Sequence, residues 1–250
     1  MIRIAAVGDL HYGVGSLDIL RPSLRHLPDR ADLLLLAGDL TRCGGPEEVA
    51  ILANELRGLT IPAVAVLGNH DYHAGREQEV RRVLEDADVR VLEGQATTLD
   101  IDGVRIGIAG TKGFGGGFRG AHGSDFGEPE MKAFVGHTKM LSDRLEIALG
   151  GLEADLRIAL LHYSPIEATL EGERLEIYPF LGSYLLAAAV DNAGADLVFH
   201  GHAHHGEEKG RTPAGVPVRN VAQPVIRHAY NIYTLDAGRQ VQPAAAGGIS

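Results

Sequence analysis

The sequence predicts a layered α/β fold, on three observations. Short apolar runs recur along the chain and read as strands covered on both faces. Segments with helical periodicity alternate with them. Hydrophobic residues make up 45% and charged residues 22% of the 250, close to the average of globular domains and enough apolar mass for a substantial core.

Taken in order, buried strands are expected at residues 3–7, 32–37, 63–67, 104–109, 157–161 and 196–199. Residues 97–101, 216–221 and 230–235 look more like ordinary strands of a second sheet. A helix is expected over residues 46–56: it opens with Pro46 and Glu47 and puts Val49, Leu52, Ala53 and Leu56 on one face. Residues 75–84, 131–149 and 181–192 also read as helices. Residues 110–129 are rich in glycine with interspersed Phe, Arg and His, and a loop of that length inside a domain is functional or disordered. No repeat or linker is visible, so residues 1–240 are read as one domain, with 241–250 as a flexible tail.

The 23 basic and 33 acidic residues give a net charge of -10, and no basic run is visible. That balance disfavours nucleic acid as the main partner, although bound divalent cations would offset several carboxylates locally. Cys43 is the single cysteine, so no intramolecular disulfide can form, which fits a reducing compartment. The apolar start, residues 1–8, is too short for a signal peptide, and no apolar run reaches membrane-spanning length. The expected location is cytoplasmic. The oligomeric state is not encoded in any of these features.

At the end of nearly every predicted buried strand stands an Asp, Asn or His beside a small residue. The first ends in Gly8-Asp9-Leu10-His11, the second in Gly38-Asp39 and the third in Gly68-Asn69-His70-Asp71. The run at 157–161 leads into His162, and the run at 196–199 leads through His200 into Gly201-His202-Ala203-His204. Open α/β sheets place their sites outside the carboxyl ends of the strands, so these scattered side chains can converge. Glycine permits the tight turns that aim them inward. Carboxylate, imidazole and amide oxygen together form a borderline-hard donor set, suited to Mn, Fe or Zn better than Ca or Mg. Seven such groups exceed what one tetrahedral ion needs. They suit two ions about 3.5–4 Å apart that share one carboxylate. Singly, each motif has a bland reading as a turn or a core histidine. Their joint placement at strand ends makes coincidence a poor account.

D-x-H, G-D, G-N-H-D, a lone His and G-H-x-H, in this order from Asp9 to His204, resemble the signature of the calcineurin-like metallophosphoesterases. The resemblance continues toward Asp236 and covers most of the chain. It implies two mixed β-sheets packed face to face and flanked by helices. It assigns Asp9, His11 and His204 to one metal, and Asn69, His162 and His202 to a second. Asp39 is implied as the bridging carboxylate, and His70 as the group that contacts the phosphate and protonates the leaving oxygen. Many members carry an acid three residues after the bridging Asp, which orients that histidine. Here the position is Arg42, and an inward cation there would lower the imidazole's proton affinity. Asp71 is a possible substitute. His200, His205 and His73 match no ligand position and default to support or exposure.

The expected activity is hydrolysis of a phosphodiester or phosphomonoester by a hydroxide bridging two divalent transition-metal ions, manganese or iron first and zinc as an alternative. The expected partner is a small phosphorylated substrate. A monoester dianion usually calls for several basic groups, and only His70 is placed, which tilts the balance toward diesters. Lys112, Arg119 and His122 in the glycine-rich segment are candidates for a second phosphate or a carboxylate; a surface loop unrelated to substrate is the equal alternative. That segment is not a dinucleotide fingerprint, because G-x-G-x-x-G before a helix is missing. Two other functions compete: a nuclease on the same scaffold, which would need a basic groove, and a metal-binding module without catalysis.

Overall fold

The computed structural model describes residues 1–16, 18, 20–236 and 239–243. In chain order the strands are β1 (Ile2–Val7), β2 (Leu33–Ala37), β3 (Ala63–Val66), β4 (Val89–Val91), β5 (Gln95–Ile101), β6 (Val104–Thr111), β7 (Gly117–Phe118), β8 (Ala121–His122), β9 (Leu156–Leu161), β10 (Leu197–His200), β11 (Lys209–Arg211), β12 (Pro217–Asn220), β13 (Asn231–Asp236) and β14 (Arg239–Pro243). The helices are α1 (Arg21–Leu24), α2 (Leu27–Arg30), α3 (Pro46–Leu56), α4 (Glu77–Glu85), α5 (Pro129–Gly150), α6 (Tyr178–Leu181), α7 (Tyr184–Ala193) and α8 (Gln223–Ile226).

Two six-stranded mixed sheets result. One has the order β14-β13-β1-β2-β3-β4 and the other β11-β12-β10-β9-β6-β5. In the first, β1 to β4 are parallel and β13 and β14 are antiparallel additions. In the second, β12, β10, β9 and β6 are parallel, with β11 and β5 antiparallel at the edges.

Side chains alternate across each strand, so each sheet feeds two cores. Ile4, Leu33, Leu35 and Val64 of the first sheet meet Ile106, Ile158, Leu160 and Phe199 of the second. On the outer face of the first sheet, Val7, Leu34, Leu36 and Ala65 pack with Leu24, Leu27, Leu52 and Leu84 from α1 to α4. On the outer face of the second, Ala159, Leu161 and Val198 pack with Leu145, Leu149, Leu186 and Val190 from α5 and α7. This double burial explains the continuous apolar runs.

It also corrects the expected division of strands. The buried runs do not make one sheet; β1, β2 and β3 belong to the first and β6, β9 and β10 to the second. Residues 230–235, expected in a second sheet with 97–101 and 216–221, pair instead with β1. Central strands of both sheets are covered on both faces, so hydrophobicity cannot sort them. The helix expected over 181–192 begins at Tyr184, where the Ser183 side chain caps the Leu185 amide at 3.3 Å. The glycine-rich segment holds a short hairpin, β7 with β8. Of the expected tail, 241–243 lie in β14, and 244–250 lie outside the described residues. Among the described residues no helix is long and apolar enough to cross a membrane.

Candidate metal centre

Five parallel strands end on one edge of the sandwich: β1, β2 and β3 from one sheet, β9 and β10 from the other. The turns that follow them are laced together by backbone bonds. The Asp9 amide donates to the Gly38 carbonyl at 2.9 Å, and the His11 amide to the Asp39 carbonyl at 3.0 Å. The His202 amide donates to Asp9 Oδ2 at 2.9 Å, and the His70 amide to Asp39 Oδ1 at 2.8 Å. Two glycines make the approach possible. A Cβ on Gly68 would lie 2.1 Å from Asp39 Oδ1, and one on Gly201 would lie 2.3 Å from Asp9 Oδ2.

Three groups of side chains each bring donor atoms within 4.8 Å of one another: Asp9, His11 and His204; His11, Asp39 and His70; and Asp39, His162 and His202. Asp39 lies in two of them. Its Oδ1 is 3.3 Å from His162 Nε2, and its Oδ2 is 3.9 Å from His11 Nε2 and 4.0 Å from His70 Nε2. His204 Nε2 is 2.9 Å from Asp9 Oδ1 and 3.5 Å from His11 Nε2. Asn69 Oδ1 is 3.0 Å from His162 Nε2. The seven residues expected as ligands, and His70, are therefore brought together.

The ring nitrogens are sorted by backbone carbonyls. His162 Nδ1 faces the Ala37 carbonyl at 2.9 Å, His70 Nδ1 the Arg42 carbonyl at 2.7 Å, and His202 Nε2 the Phe180 carbonyl at 3.2 Å. A carbonyl only accepts, so in each ring that nitrogen carries a proton and the other is left to face the centre. The second nitrogens of His162 and His70 face Asp39. Asp9 and Asp39 are buried, and among the described residues no Lys or Arg lies within 4.0 Å of either. Two buried carboxylates without a Lys or Arg partner, ringed by imidazole nitrogens, fit divalent cations.

The electrostatics of the cation-free cluster point the same way. Burial opposes ionisation of Asp39, but the charge and hydrogen bond of His162 outweigh it and hold the carboxyl well below its usual range. Burial would lower His162, but the charge and hydrogen bond of Asp39 raise it to about 9. One proton thus stands in for a cation between these two side chains. Burial pushes His202 down to about 3.

Asp71 does not orient His70. Its buried carboxylate accepts from the amides of Leu40, Thr41 and Gly68 and from the Thr41 hydroxyl, tying the loop after β2 to the loop after β3. The Arg42 carbonyl does the orienting, while the Arg42 side chain is exposed. His200 is buried and bonds Thr169 Oγ1 at 2.8 Å; His205 and His73 are exposed. Lys112 is buried against Tyr163, the neighbour of His162. Arg119, in the exposed turn after β7, and His122, exposed in β8, lie against Tyr184, outside the three groups. Sequence reasoning passed over Tyr163, whose ring is 4.3 Å from that of His202 and whose place beside His162 was the available signal. It also passed over the Phe180 carbonyl, for which no sequence signal exists.

The family model for calcineurin-like phosphoesterases matches residues 2–206. The chain belongs to that family. Its fold is similar to phosphopantetheinyl hydrolase from Mycobacterium tuberculosis, with 16% identity, 90% of each chain covered and a TM-score of 0.67. It is also similar to TT1561 of Thermus thermophilus, with 20% identity, 97% and 98% covered and a TM-score of 0.56. A stretch of 64 residues, 26% of this chain, is 33% identical to the glycerophosphodiester phosphodiesterase GpdQ of Enterobacter lignolyticus. The match spans 23% of that relative's length. The family is one of phosphoesterases, and the three groups of donor side chains are of the kind that could hold its metal ions.

Proposed function

We propose that this calcineurin-like phosphoesterase hydrolyses a small phosphodiester at a dinuclear centre. Asp9, His11 and His204 would hold one ion, Asn69, His162 and His202 the other, and Asp39 both. The position of Asp39, with one oxygen toward His162 and the other toward His11, is the observation that carries this reading. Two divalent ions, manganese or iron before zinc, would supply Lewis acidity and a water acidic enough to be deprotonated near neutral pH.

The chain's own groups do the rest. His70 Nε2 is directed at the centre because Nδ1 is held by the Arg42 carbonyl, and it is 43% exposed, open to a substrate. With a second proton on Nε2, it would contact a phosphate oxygen and pass that proton to the leaving alkoxide. The neutral Asn69 leaves more positive charge on its side of the centre for the phosphate than a carboxylate would. Among the described residues no Lys or Arg lies within 4.0 Å of Asp9 or Asp39, so His70 is the group placed for the phosphate's negative charge, which favours the monoanion of a diester. The absence of a basic run in a chain of net charge -10 speaks for a small substrate over a nucleic acid.

Metal analysis and a paired assay test this. The purified protein should carry about two transition-metal ions per chain and hydrolyse bis(p-nitrophenyl) phosphate faster than p-nitrophenyl phosphate. Asp39→Asn should lower the rate by about 10²-fold or more and reduce the bound metal. Wild-type protein that holds both ions yet cleaves no mono- or diester, or an Asp39→Asn variant with full activity, would overturn the reading.

A further inference from the structure

Lys112 stands at the turn after β6 and is only 7% exposed. An ammonium carries three donors. Among the described residues this one makes a single hydrogen bond, to the neighbouring Gly113 carbonyl at 3.2 Å, and no ion pair within 4.0 Å. Its nearest neighbours otherwise are rings, and the charges of Glu93 and Asp39 reach it only from beyond 4.0 Å. Nζ lies 4.9 Å from the centre of Phe114 and 5.2 Å from those of Tyr72 and Tyr163. Rings soften the burial of a cation without filling its N–H donors. The carboxylate closest in chemistry, Glu93, is engaged by the Tyr72 hydroxyl at 2.8 Å and the Leu67 amide at 3.3 Å.

The position relates this cation to the centre. Tyr72 follows the Asn69-His70-Asp71 turn, and Tyr163 follows His162. The Tyr163 ring lies between Lys112 and His202, 4.3 Å from the latter. Phe114 continues outward to Phe134 at 5.1 Å, and Phe134 to Phe180 at 6.4 Å. Phe180 is 60% exposed, and its carbonyl holds His202. One ring beyond the second metal position, then, an under-used ammonium sits at the end of an aromatic wall.

We propose that Lys112 determines specificity by taking a second anionic group, phosphate or carboxylate, of a substrate whose scissile phosphoester lies at the centre. The part of the substrate between the two anions lies along Phe114, Phe134 and Phe180. This rests on the phosphoesterase reading above and names the substrate class for it: a phosphodiester with a further anion on the alcohol it keeps.

Matched compounds test it. One pair is thymidine 5′-(p-nitrophenyl phosphate) with and without a 3′-phosphate. The other is the p-nitrophenyl phosphodiesters of glycolate and of ethylene glycol. For wild-type protein the member with the extra anion should have the lower KM in at least one pair, and which pair responds tells phosphate from carboxylate. Lys112→Met should raise that KM by about tenfold or more, the worth of one charge-assisted hydrogen bond. It should leave the plain member within about threefold and metal content unchanged. Lys112→Arg, which keeps the charge, should recover part of the loss and guards against a folding defect in the first variant. Equal effects of Lys112→Met on both members of each pair, or no wild-type preference in either, would overturn the proposal. A thermal-shift titration of metal-loaded protein with thymidine 3′,5′-bisphosphate against thymidine 5′-phosphate separates the two readings. A bisphosphate preference lost in Lys112→Met, in a protein that cleaves nothing, would refute the hydrolase and keep the anion site.

Discussion

Gly68→Ala probes the centre without replacing any residue proposed to hold metal. A Cβ there would meet Asp39 Oδ1 at 2.1 Å, Asp39 N at 2.2 Å and Asp39 Cγ at 2.8 Å, where ordinary contact begins at 3.4 Å. The methyl is therefore more than about 1 Å too close on two atoms of Asp39, Oδ1 and N, and tight against a third, Cγ. Asp39 has little freedom to yield, because its carbonyl holds the His11 amide, its Oδ1 holds the His70 amide, and the next amide, Leu40, is held by Asp71. Overpacking of this kind costs about 1–3 kcal/mol. Shifting a positioned group by about 1 Å costs on the order of 10²-fold in rate. Gly136→Ala is the matched control: Gly136 lies inside α5, exposed, with nothing near its missing Cβ. Alanine there should stabilise by about 0.5–1 kcal/mol. Urea unfolding, elemental analysis and turnover of a chromogenic diester read all three effects. The expected result is a Gly68→Ala protein that folds, is less stable, is short of metal and is about 10²-fold slower, beside a Gly136→Ala protein that is more stable and fully active. A Gly68→Ala protein with both ions and an unchanged rate would refute the placement of Asp39 against β3.

Two further outcomes follow from the same geometry. Metal-free protein should be most stable near pH 6.5 and lose stability in both directions. On the acid side, burial holds His200 down to about 4 and His202 to about 3, so the unfolded chain takes up protons first and stability falls by up to about 1.4 kcal/mol per pH unit and group. Asp71, raised to about 6 by burial and the charge of Asp39, acts oppositely with one proton against two. On the alkaline side, the stability supplied by His162, at about 9 because Asp39 outweighs its burial, is fully present below 6.5 and lost as pH rises to 9. Urea unfolding in chelator between pH 4 and 9 checks this, and stability that climbs steadily on acidification would sink it. Arg42→Ala should leave kcat/KM within about threefold, because the carbonyl that orients His70 survives the substitution. A 100-fold loss would instead assign the work to the guanidinium.

What was legible in the sequence was local. A strand followed by Gly-Asp or Gly-Asn-His carries its own periodicity and its own turn chemistry, so Asp9, Asp39, Asn69 and His162 could be placed at strand ends from the string alone. The allocation of strands to sheets was not legible, because Leu33–Ala37 and Leu156–Leu161 are covered on both faces and look alike, though they lie in different sheets. Backbone atoms were the other blind spot. Arg42 read as a misplaced cation where an acid is common, yet its side chain turns to solvent and its carbonyl performs the orienting role. Asp71 read as a possible substitute for the missing acid, yet it faces three backbone amides, which no residue type advertises.

The backbone itself carries the signature of the site. Among the described residues eight non-glycines have positive φ, and four of them are Asp9 at 58°, His11 at 46°, Asp39 at 49° and His202 at 71°. Asp and His tolerate the left-handed region better than most residues, but each such residue still costs on the order of 1–2 kcal/mol. The cost is offset within the scaffold. The amides of Asp9, His11 and His202 each donate to a neighbouring turn, at 2.9, 3.0 and 2.9 Å. The left-handed turns and the bonds that hold them therefore form one device: the chain reverses sharply after β1, β2 and β10, and the reversal aims the side chain across the strand ends instead of along them. Four of the seven residues proposed as ligands are aimed in this way, so the scaffold sets their positions before any ion arrives.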